Sequence, residues 1–208
     1  MAELTPSELS ALSQSTLDHY QRNARSFRDG TFDHDVSQNI EALLAALGGA
    51  GPYRILDFGC GPGRDLRAFL RLGHSVVGLD GCEAFVRLAE ESGASVLHQN
   101  FLELDLPNEA FDGVFANASL FHVPSQELPR VLGELKGCLV PRGVLFSSNP
   151  RGDNREGYND ARYGAYHDEE RWREFLVNAG FDAVTEYYRP VGLPRERQSW
   201  FASVWRKR

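Results

Sequence analysis

The stretch Ile55-Leu56-Asp57-Phe58-Gly59-Cys60-Gly61-Pro62-Gly63-Arg64 decides the fold of this 208-residue chain. Its first four residues are mostly apolar and predict a short strand, and the glycines that follow let the backbone turn sharply into a helix. In open α/β sheets, ligands bind at the carboxyl ends of the strands. The stretch therefore predicts a ligand-binding turn, with a glycine turn that holds no ligand as the alternative.

Strands and helices alternate on the carboxyl side of this turn. Short apolar runs predict four more strands, at 75–79, 95–98, 111–116 and 144–146. Apolar residues at helical spacing predict helices between the strands, and the longest helix carries Leu128, Val131, Leu132, Leu135 and Leu139. Such alternation is typical of βαβ units, so we expect an α/β fold with a mostly parallel sheet and helices on both faces.

The two ends of the chain complete the pattern. Residues 7–27 predict one or two weak helices, and residues 40–47 predict another helix that ends at Gly48-Gly49. Near the other end, the apolar runs 181–188 and 199–205 are joined by a short loop that contains proline. These two runs predict an antiparallel hairpin at the end of the parallel sheet.

Composition excludes several classes of protein. Hydrophobic residues make up 42% and charged residues 25% of the chain, close to the globular average, which excludes a disordered or collagen-like chain. The net charge of −7 argues against nucleic acid as a partner. No run approaches 18 apolar residues and the N-terminus carries Glu3 and Glu8, so we expect neither a membrane span nor a signal peptide. Three cysteines without a CxxC pair indicate reduced thiols in the cytoplasm and argue against a structural zinc.

Charges around the glycines indicate the ligand. Arg64 stands where a dinucleotide-binding turn has its third glycine, and Pro62 lacks the N–H that a phosphate needs. Asp57 would repel a pyrophosphate and attract a cation, which also argues against a nicotinamide oxidoreductase. Asp80 ends the second strand, where its two oxygens can accept both hydroxyls of a ribose, with a helix cap as the alternative. S-adenosylmethionine fits a ligand that has a ribose and a positive charge but needs no phosphate.

These features resemble the class I S-adenosylmethionine-dependent methyltransferases. Four segments match motifs of that family in order and at the usual spacing, namely residues 55–63, 77–80, 111–117 and 139–145. The resemblance implies a Rossmann-like sheet of seven strands that ends in an antiparallel hairpin, as residues 181–205 indicate on their own. It also implies S-adenosylmethionine as the methyl donor and S-adenosylhomocysteine as the product.

The resemblance also implies a division of the chain. In this family, the segment before the first strand often closes over the donor, so we expect residues 1–50 to form a helical lid. Residues 51–208 would then be the methyltransferase domain, and the two parts would form one structural domain. The family commonly covers its substrate with an insertion after the fifth strand, and residues 150–167 occupy that place.

Eight residues are assigned to the donor by the resemblance, namely Asp57, Gly59, Gly61, Asp80, Gly81, Asn100, Phe101 and Asn117. Asp57 and the two glycines of the turn would lie near the methionine moiety, and Asn117 near the sulfonium. Asn100 stands where the family often has aspartate, and an amide oxygen can still accept a hydrogen bond from the adenine amino group. Cys60 is interpreted as a small filler of the loop.

Two residues are candidates for catalysis. His122 lies in the loop after the fourth strand, which faces the transferred methyl group, and would act as a base if the acceptor arrives protonated. The alternative is a histidine that holds the loop through hydrogen bonds to the backbone. Tyr20 lies a helical distance before Phe27 and is a candidate lid residue, with packing of its helix as the alternative.

Five residues are candidates for binding the methyl acceptor, namely Arg151, Arg155, Arg162, Tyr163 and His167. Arginines and tyrosines alternate in this insertion although the whole chain is negative. Arginine binds carboxylates through two parallel hydrogen bonds, so we expect a small polar acceptor with an anionic group. A solvated surface loop is the alternative. Asp168, beside His167, is expected to cap the next helix.

No metal site is expected. Asp33-His34-Asp35 are adjacent, have no distant partner cluster, and a sulfonium donor needs no Lewis acid. The main hypothesis is therefore a small-molecule methyltransferase that acts by direct displacement. The second hypothesis is a catalytically idle domain of the same fold that binds the donor as a sensor or partner subunit, and only turnover separates the two. The pattern leaves the acceptor atom and the oligomeric state open.

Overall fold

A computed structural model gives the structure of residues 3–208. Within this range the helices are α1 (Pro6–Thr31), α2 (Ser37–Leu47), α3 (Arg64–Arg71), α4 (Glu83–Glu90), α5 (Leu128–Cys138) and α6 (Glu169–Asn178). The strands are β1 (Arg54–Phe58), β2 (Ser75–Asp80), β3 (Ser95–His98), β4 (Phe111–Asn117), β5 (Leu139–Pro150), β6 (Arg155–Asn159), β7 (Arg162–Tyr166), β8 (Phe181–Arg189) and β9 (Trp200–Lys207). No helix in the described range is long and apolar enough to cross a membrane.

Seven strands form one sheet in the order β3-β2-β1-β4-β5-β9-β8. Strands β1 to β5 pair in parallel, and β9 pairs antiparallel with both β5 and β8. The predicted α/β fold with a C-terminal antiparallel hairpin is therefore confirmed. The chain leaves β1 towards β2 on one side and later crosses to β4 on the other. The carboxyl ends of β1 and β4 thus form a topological switch point, where such sheets bind ligands.

Helices cover both faces of the sheet because their apolar residues recur at helical spacing. Ile55 and Leu56 of β1 belong to different core clusters, as the alternation of side chains along a strand requires. The Leu56 side includes Leu135 of α5, and the Ile55 side includes Leu43 of α2. Burial of each such side chain contributes about 1.5–3 kcal/mol, so both layers hold the strand ends in place.

The N-terminal segment, predicted as one or two weak helices, is one continuous helix of 26 residues. Thr5 caps it, because its side chain accepts a hydrogen bond from Glu8 N at 3.3 Å while the Glu8 carboxylate accepts one from Thr5 N at 2.7 Å. The inner face of α1 buries Leu12, Thr16 and Ala24. The cap and this buried face stabilise a helix whose composition is largely polar.

The insertion at 150–167 contains a second sheet that the sequence did not predict. Strands β6 and β7 pair antiparallel, with Tyr158 opposite Tyr163. Strand β5 also continues past its predicted end at residue 146, because residues up to Pro150 pair with β9. The insertion therefore starts from a rigid strand end.

Hydrogen bonds join α1 to the β6–β7 hairpin. Tyr163 N donates to Thr16 Oγ1 at 2.9 Å, and Ser15 Oγ donates to the carbonyl of Ala161 at 2.9 Å. We call α1 and this hairpin together the cover. The cover thus combines part of the predicted lid segment, residues 1–50, with the predicted substrate insertion, and the division of the chain into lid and domain stays a prediction.

Candidate active site

A chamber of about 560 Å³ lies between the cover and the carboxyl ends of β1, β2 and β4. The glycine turn after β1 and the ends of β2 and β4 form its floor, and the cover forms its roof. Seven of the eight predicted donor residues line it, namely Gly59, Gly61, Asp80, Gly81, Asn100, Phe101 and Asn117. The eighth, Asp57, lies in β1 and is only 1% exposed.

Close packing holds the glycine turn in place. Gly59 has a φ of +78°, and a Cβ atom there would lie 2.4 Å from the Cβ atom of Ser119. Ser119 follows β4 and donates a hydrogen bond to the carbonyl of Phe58 at 2.6 Å. At the end of the turn, a Cβ atom on Gly63 would lie 2.8 Å from the Cα atom of Ala89 in α4. Only glycine fits these two positions, so the turn stays in contact with both neighbouring segments.

Asp80 ends β2, and its carboxylate fixes the loops on either side. Its Oδ2 accepts a hydrogen bond from Gly61 N at 2.9 Å, and its Oδ1 accepts one from Cys82 N at 2.9 Å. Burial raises the pKa of Asp80 to about 6, and these backbone hydrogen bonds act in the opposite direction. Each oxygen keeps acceptor capacity, so the carboxylate can still bind two hydroxyl donors in the chamber.

Asp57 lies in β1 directly before the glycine turn, outside the chamber lining, and carries an oxygen that is not hydrogen-bonded within the described residues. This oxygen, Oδ2, is buried. Burial, followed by the nearby Asp65, raises the pKa of Asp57 well above its ordinary value. A positive charge near this carboxyl group would lower its pKa and stabilise its charged form. Asp57 therefore favours a cationic ligand in the chamber, from a position outside its lining.

Asn117 ends β4 and is held by a directed chain of hydrogen bonds. Its Nδ2 donates to Asp65 Oδ2 at 3.1 Å, and its Oδ1 accepts from Asn39 Nδ2 at 3.0 Å. Asn39 Oδ1 accepts in turn from Tyr187 OH at 2.9 Å and from Arg189 Nη1 at 2.8 Å. Because a guanidinium group only donates, these contacts fix the orientation of both amides. Asn117 therefore faces the chamber in a single orientation.

The two catalytic candidates meet where the cover contacts the loop after β4. Tyr20 OH lies 2.9 Å from His122 Nε2, and His122 Nδ1 lies 2.6 Å from the carbonyl oxygen of Tyr163. Arg162 lies beside them, with its Cζ atom 6.0 Å from the centroid of the Tyr20 ring. Burial lowers the pKa of His122 to about 4. His122 is therefore neutral at physiological pH, with both ring nitrogens in hydrogen bonds.

Two arginines line the chamber, and their surroundings differ. Arg64 is paired with Asp65, with Nε to Oδ1 at 2.6 Å and Nη2 to Oδ2 at 2.9 Å. Arg162 Nε is buried without a hydrogen-bond partner in the described part of the chain. Arg162 is therefore the arginine that can pair with a ligand in the chamber.

Comparisons with known proteins decide the family. A family profile described as "Methyltransferase domain" matches residues 56–147. One solved structure is the 1,6-didemethyltoxoflavin-N1-methyltransferase of Burkholderia thailandensis with bound 1,6-didemethyltoxoflavin and S-adenosylhomocysteine. It is 25% identical, has a TM-score of 0.81, and the match covers 100% of this chain and 92% of that chain. The chain belongs to the class I S-adenosylmethionine-dependent methyltransferases.

This chain covers different shares of two related methyltransferases. An uncharacterized methyltransferase of Anoxybacillus flavithermus is 25% identical over 182 residues, which are 84% of this chain and 83% of the relative. A trans-aconitate 2-methyltransferase of Variovorax paradoxus is 32% identical over 169 residues, which are 77% of this chain and 61% of the relative. The chain thus spans about three-fifths of the trans-aconitate relative.

The floor of the methyltransferase chamber fits S-adenosylmethionine, the donor of this family. Asp80 has acceptor capacity for the ribose hydroxyls, and Asp57, buried behind the floor with one oxygen unpartnered among residues 3–208, favours a positive charge nearby. Phe101 stacks on Phe58 at a centroid distance of 4.3 Å and lines the chamber with a flat apolar side chain, which suits adenine. The assignments of individual residues to parts of the donor stay proposals.

Asn100 differs from its expected role in one respect. Its Oδ1 already accepts hydrogen bonds from Leu102 N at 3.0 Å and from Ser13 Oγ at 3.0 Å. The backbone donor requires an oxygen at this position, so the amide orientation is fixed. The group that Asn100 has left for adenine is therefore its Nδ2 donor, whereas the sequence predicted an acceptor.

Four of the five predicted acceptor-binding residues lie outside the chamber. Arg151 is paired with Glu169, with Nε to Oε1 at 2.9 Å, and Arg155 pairs with Asp153 at the surface with 84% of its side chain exposed. Tyr163 is buried on the other side of the hairpin and contributes its carbonyl oxygen. His167 packs between Trp172 and Phe175, with centroid distances of 6.4 Å and 5.1 Å. Their side chains are held by other contacts, and Arg162 alone of the five reaches the chamber.

Several chamber residues were not predicted from the sequence, namely Ser13, Asn159, Phe121 and Trp200. Phe121 lies next to His122 in the chain, and its ring is 6.5 Å from that of Trp200 at the start of β9. Within residues 3–208, no group of three or more His, Cys, Asp or Glu side chains is arranged to hold a metal ion. The three cysteines are free and buried.

Asn39 provides the first test of the site. Replacing Asn39 by alanine should lower the free energy of unfolding by about 1–3 kcal/mol, because Tyr187, Arg189 and Asn117 each lose a partly buried hydrogen bond. The affinity for S-adenosylhomocysteine should also fall, because Asn117 loses its fixed orientation. Denaturant titration and calorimetry measure the two effects. Glu41→Ala, at an exposed position of the same helix, is the control, and equal behaviour of the two variants would remove Asn39 from the site.

Proposed function

We propose that this protein transfers a methyl group from S-adenosylmethionine to a small polar acceptor that carries an anionic group such as a carboxylate. The transfer is a direct displacement and takes place in the cytoplasm, where free thiols such as the three cysteines stay reduced. The observation that carries the proposal is Arg162 in the wall of the chamber, whose buried Nε has no hydrogen-bond partner among residues 3–208.

Alignment and exclusion of water are the tasks left to the chain. When bound, S-adenosylmethionine supplies a methyl group that its sulfonium already activates. Asp80, Phe101 and Asn117 line the floor of the chamber, where the donor would bind. The cover closes the opposite side. Holding the acceptor in a single geometry can by itself remove a large part of the activation free energy of a displacement.

Arg162 orients the acceptor. Its planar guanidinium presents parallel N–H donors that match both oxygens of a carboxylate. The adjacent wall is aromatic, because the Phe121 ring lies 6.0 Å from that of Tyr166 and 6.5 Å from that of Trp200. A small acceptor with a flat body and one anionic group suits these two features together.

The named relatives support an acceptor of this size. One is named as a methyltransferase of trans-aconitate, which is a carboxylate, and another structure contains 1,6-didemethyltoxoflavin, which is a flat heterocycle. Arg162 favours the anionic group of the first, and the aromatic wall favours the flat shape of the second. The proposed acceptor combines both properties.

Substitution of Arg162 tests the anionic acceptor once a methyl-transfer screen of metabolite pools, read by mass spectrometry, has identified it. Arg162→Ala should raise KM by about 10- to 150-fold, since a hydrogen bond to a charged group contributes about 1.5–3 kcal/mol. Arg162→Lys should also raise KM, because lysine cannot pair bidentately. The control is Arg155→Ala, which removes an exposed arginine of the same hairpin. Unchanged KM in both Arg162 variants would exclude the anionic acceptor.

The alternative function is a catalytically idle domain that binds the donor as a sensor or a partner subunit. The floor of the chamber serves donor binding in both cases, but an idle domain has no need of an arginine in the roof that forms no ion pair with a carboxylate of residues 3–208. Release of S-adenosylhomocysteine with any acceptor pool supports the enzyme. Donor binding without such release supports the idle domain.

A further inference from the structure

The hydrogen bonds of His122 fix its tautomer. The carbonyl oxygen of Tyr163 can only accept, so His122 Nδ1, at 2.6 Å, must carry the proton. In the neutral ring, Nε2 then has a free lone pair, and Tyr20 OH at 2.9 Å must donate to it. A directed path therefore runs from Tyr20 to His122 and ends on the backbone of β7.

Tyr20 stands between His122 and the anion-binding arginine. Its ring packs against Phe27 and Phe85 at centroid distances of 5.4 Å each. The guanidinium of Arg162 lies over the same ring at 6.0 Å. An acceptor whose anionic group pairs with Arg162 therefore has the rest of its body next to the Tyr20 oxygen.

We propose that Tyr20 and His122 form a proton relay that takes the proton from the attacking atom of the acceptor. It follows that the methylated group is a hydroxyl or an N–H group, and that the anion bound by Arg162 is a separate group that is not methylated. A carboxylate oxygen needs no base to attack a methyl group, so an acceptor methylated on its carboxylate would leave the relay without a task. This inference rests on the proposed function and narrows its substrate class.

Atoms and electrons balance in this step. The acceptor atom forms a bond to the methyl carbon as the carbon–sulfur bond breaks, and sulfur keeps that electron pair. The proton of the acceptor atom passes to the Tyr20 oxygen while the Tyr20 proton passes to His122 Nε2. The products are a methylated acceptor, a neutral thioether and an imidazolium that keeps its hydrogen bond to the Tyr163 carbonyl.

The charges around His122 support the relay. The pKa of His122 is lowered to about 4, mainly by burial; the hydrogen bond to the Tyr163 carbonyl opposes this shift and the positive charge of Arg162 contributes to it. An anion paired with Arg162 offsets that charge, so acceptor binding strengthens the base. A weak base suffices, because the proton on an oxygen or nitrogen becomes strongly acidic as its bond to carbon forms. Burial raises the pKa of Tyr20, which keeps its hydroxyl protonated and able to donate.

The decisive variant is His122→Gln. A glutamine can accept from Tyr20 and donate to the Tyr163 carbonyl, so it keeps a structural role but cannot take up a proton. We expect kcat to fall by about 10²–10⁴-fold, the range of general-base catalysis, while the calorimetric Kd for S-adenosylhomocysteine stays within about twofold. Tyr20→Phe should behave in the same way, and Tyr158→Phe, at an exposed tyrosine of the hairpin, is the control. Full turnover by His122→Gln would overturn the relay.

Two further readouts separate the relay from the proposed function. In ¹⁵N spectra of the wild-type protein we expect a histidine with Nδ1 protonated and Nε2 accepting a hydrogen bond, and a shift of that Nε2 signal in Tyr20→Phe. Paired probes are then assayed with the donor, namely benzoate against 4-hydroxybenzoate and 4-aminobenzoate, with trans-aconitate and metabolite pools alongside. Methyl groups on O–H or N–H positions support the inference, and a methyl ester of any carboxylate overturns it while the proposed function stands. Donor binding without methylation of any probe or pool overturns both.

Discussion

Replacing Asp80 by alanine should weaken the binding of S-adenosylmethionine by about 10- to 150-fold, because a hydrogen bond to a charged group contributes about 1.5–3 kcal/mol. Its two oxygens already hold Gly61 N and Cys82 N, and both keep acceptor capacity towards the chamber. The variant loses the ribose contacts and also frees the two backbone donors that set the shape of the floor. Isothermal titration with S-adenosylhomocysteine measures the loss.

Asp112 provides a matched control for this loss. It lies in β4 near the amino ends of the strands, and it also accepts a backbone hydrogen bond, from Arg54 N at 2.8 Å. Asp112→Ala should therefore lower the free energy of unfolding and leave donor affinity unchanged. Wild-type affinity in a folded Asp80→Ala variant would remove Asp80 from the donor site.

The pH dependence of donor binding follows from the same carboxyl group. Burial raises the pKa of Asp80 to about 6, above the value of about 3.9 for a free aspartate. Below pH 6 the group is protonated and loses an acceptor position, so the affinity for the donor should rise from pH 5 to pH 7.5. The contribution of Asp80 to the free energy of unfolding changes with pH in the opposite direction. The folded state without donor binds its proton more tightly, so the stability contributed at low pH is lost as the pH rises through 6.

The donor side of the site could be predicted because its residues lie close to strand ends in the chain. Asp80 and Asn117 end β2 and β4, and Gly59 directly follows β1. Parallel strands bring their carboxyl ends to one edge, so the alternation of strands and helices is enough to place such residues together. The sequence did not reveal that the Asn100 oxygen is already occupied, because one of its two donors is Ser13 in α1, which is 87 residues away.

The acceptor side could not be predicted because it depends on which side of a hairpin each residue occupies. Residues 150–167 were interpreted as a substrate cover without predicted strands, and such a segment assigns no face to its side chains. In β7, Arg162 and Tyr166 share one face and line the chamber, whereas Tyr163 between them points to the other side. Asn159 lies opposite Arg162 in the hairpin and lines the chamber with it.

The position of Asn39 in the sequence already indicates that its side chain is buried. It lies one turn before Leu43 in α2 and therefore on the apolar face of that helix. A polar residue at a core position needs hydrogen-bond partners, and here these are the partly buried Tyr187, Arg189 and Asn117. The partners come from β8 and β4, so the position indicates a buried network but cannot name its members.

Replacing Gly59 by alanine should have a large effect on both stability and donor binding. The residue has a φ of +78°, and its Cβ atom would lie 2.4 Å from that of Ser119 and 3.1 Å from Phe101 Cζ. The backbone strain costs about 1–2 kcal/mol and the overpacking about 1–3 kcal/mol. We expect a loss of about 2–5 kcal/mol in the free energy of unfolding, and loss of measurable donor binding because the turn and Phe101 are displaced from the floor.

A double-mutant cycle separates the two causes of this loss. Ser119→Gly removes the atom that the new methyl group meets, so the Gly59→Ala and Ser119→Gly variants should be non-additive, with a coupling free energy of about 0.5–3 kcal/mol. The backbone strain at residue 59 remains in the double variant, which should therefore stay less stable than Ser119→Gly alone. Gly157→Ala is the control, because no atom of the described residues lies within 4 Å of the added Cβ atom and Gly157 has no positive φ. Additive free energies in the cycle would show that the glycine turn does not pack against Ser119 in the loop after β4.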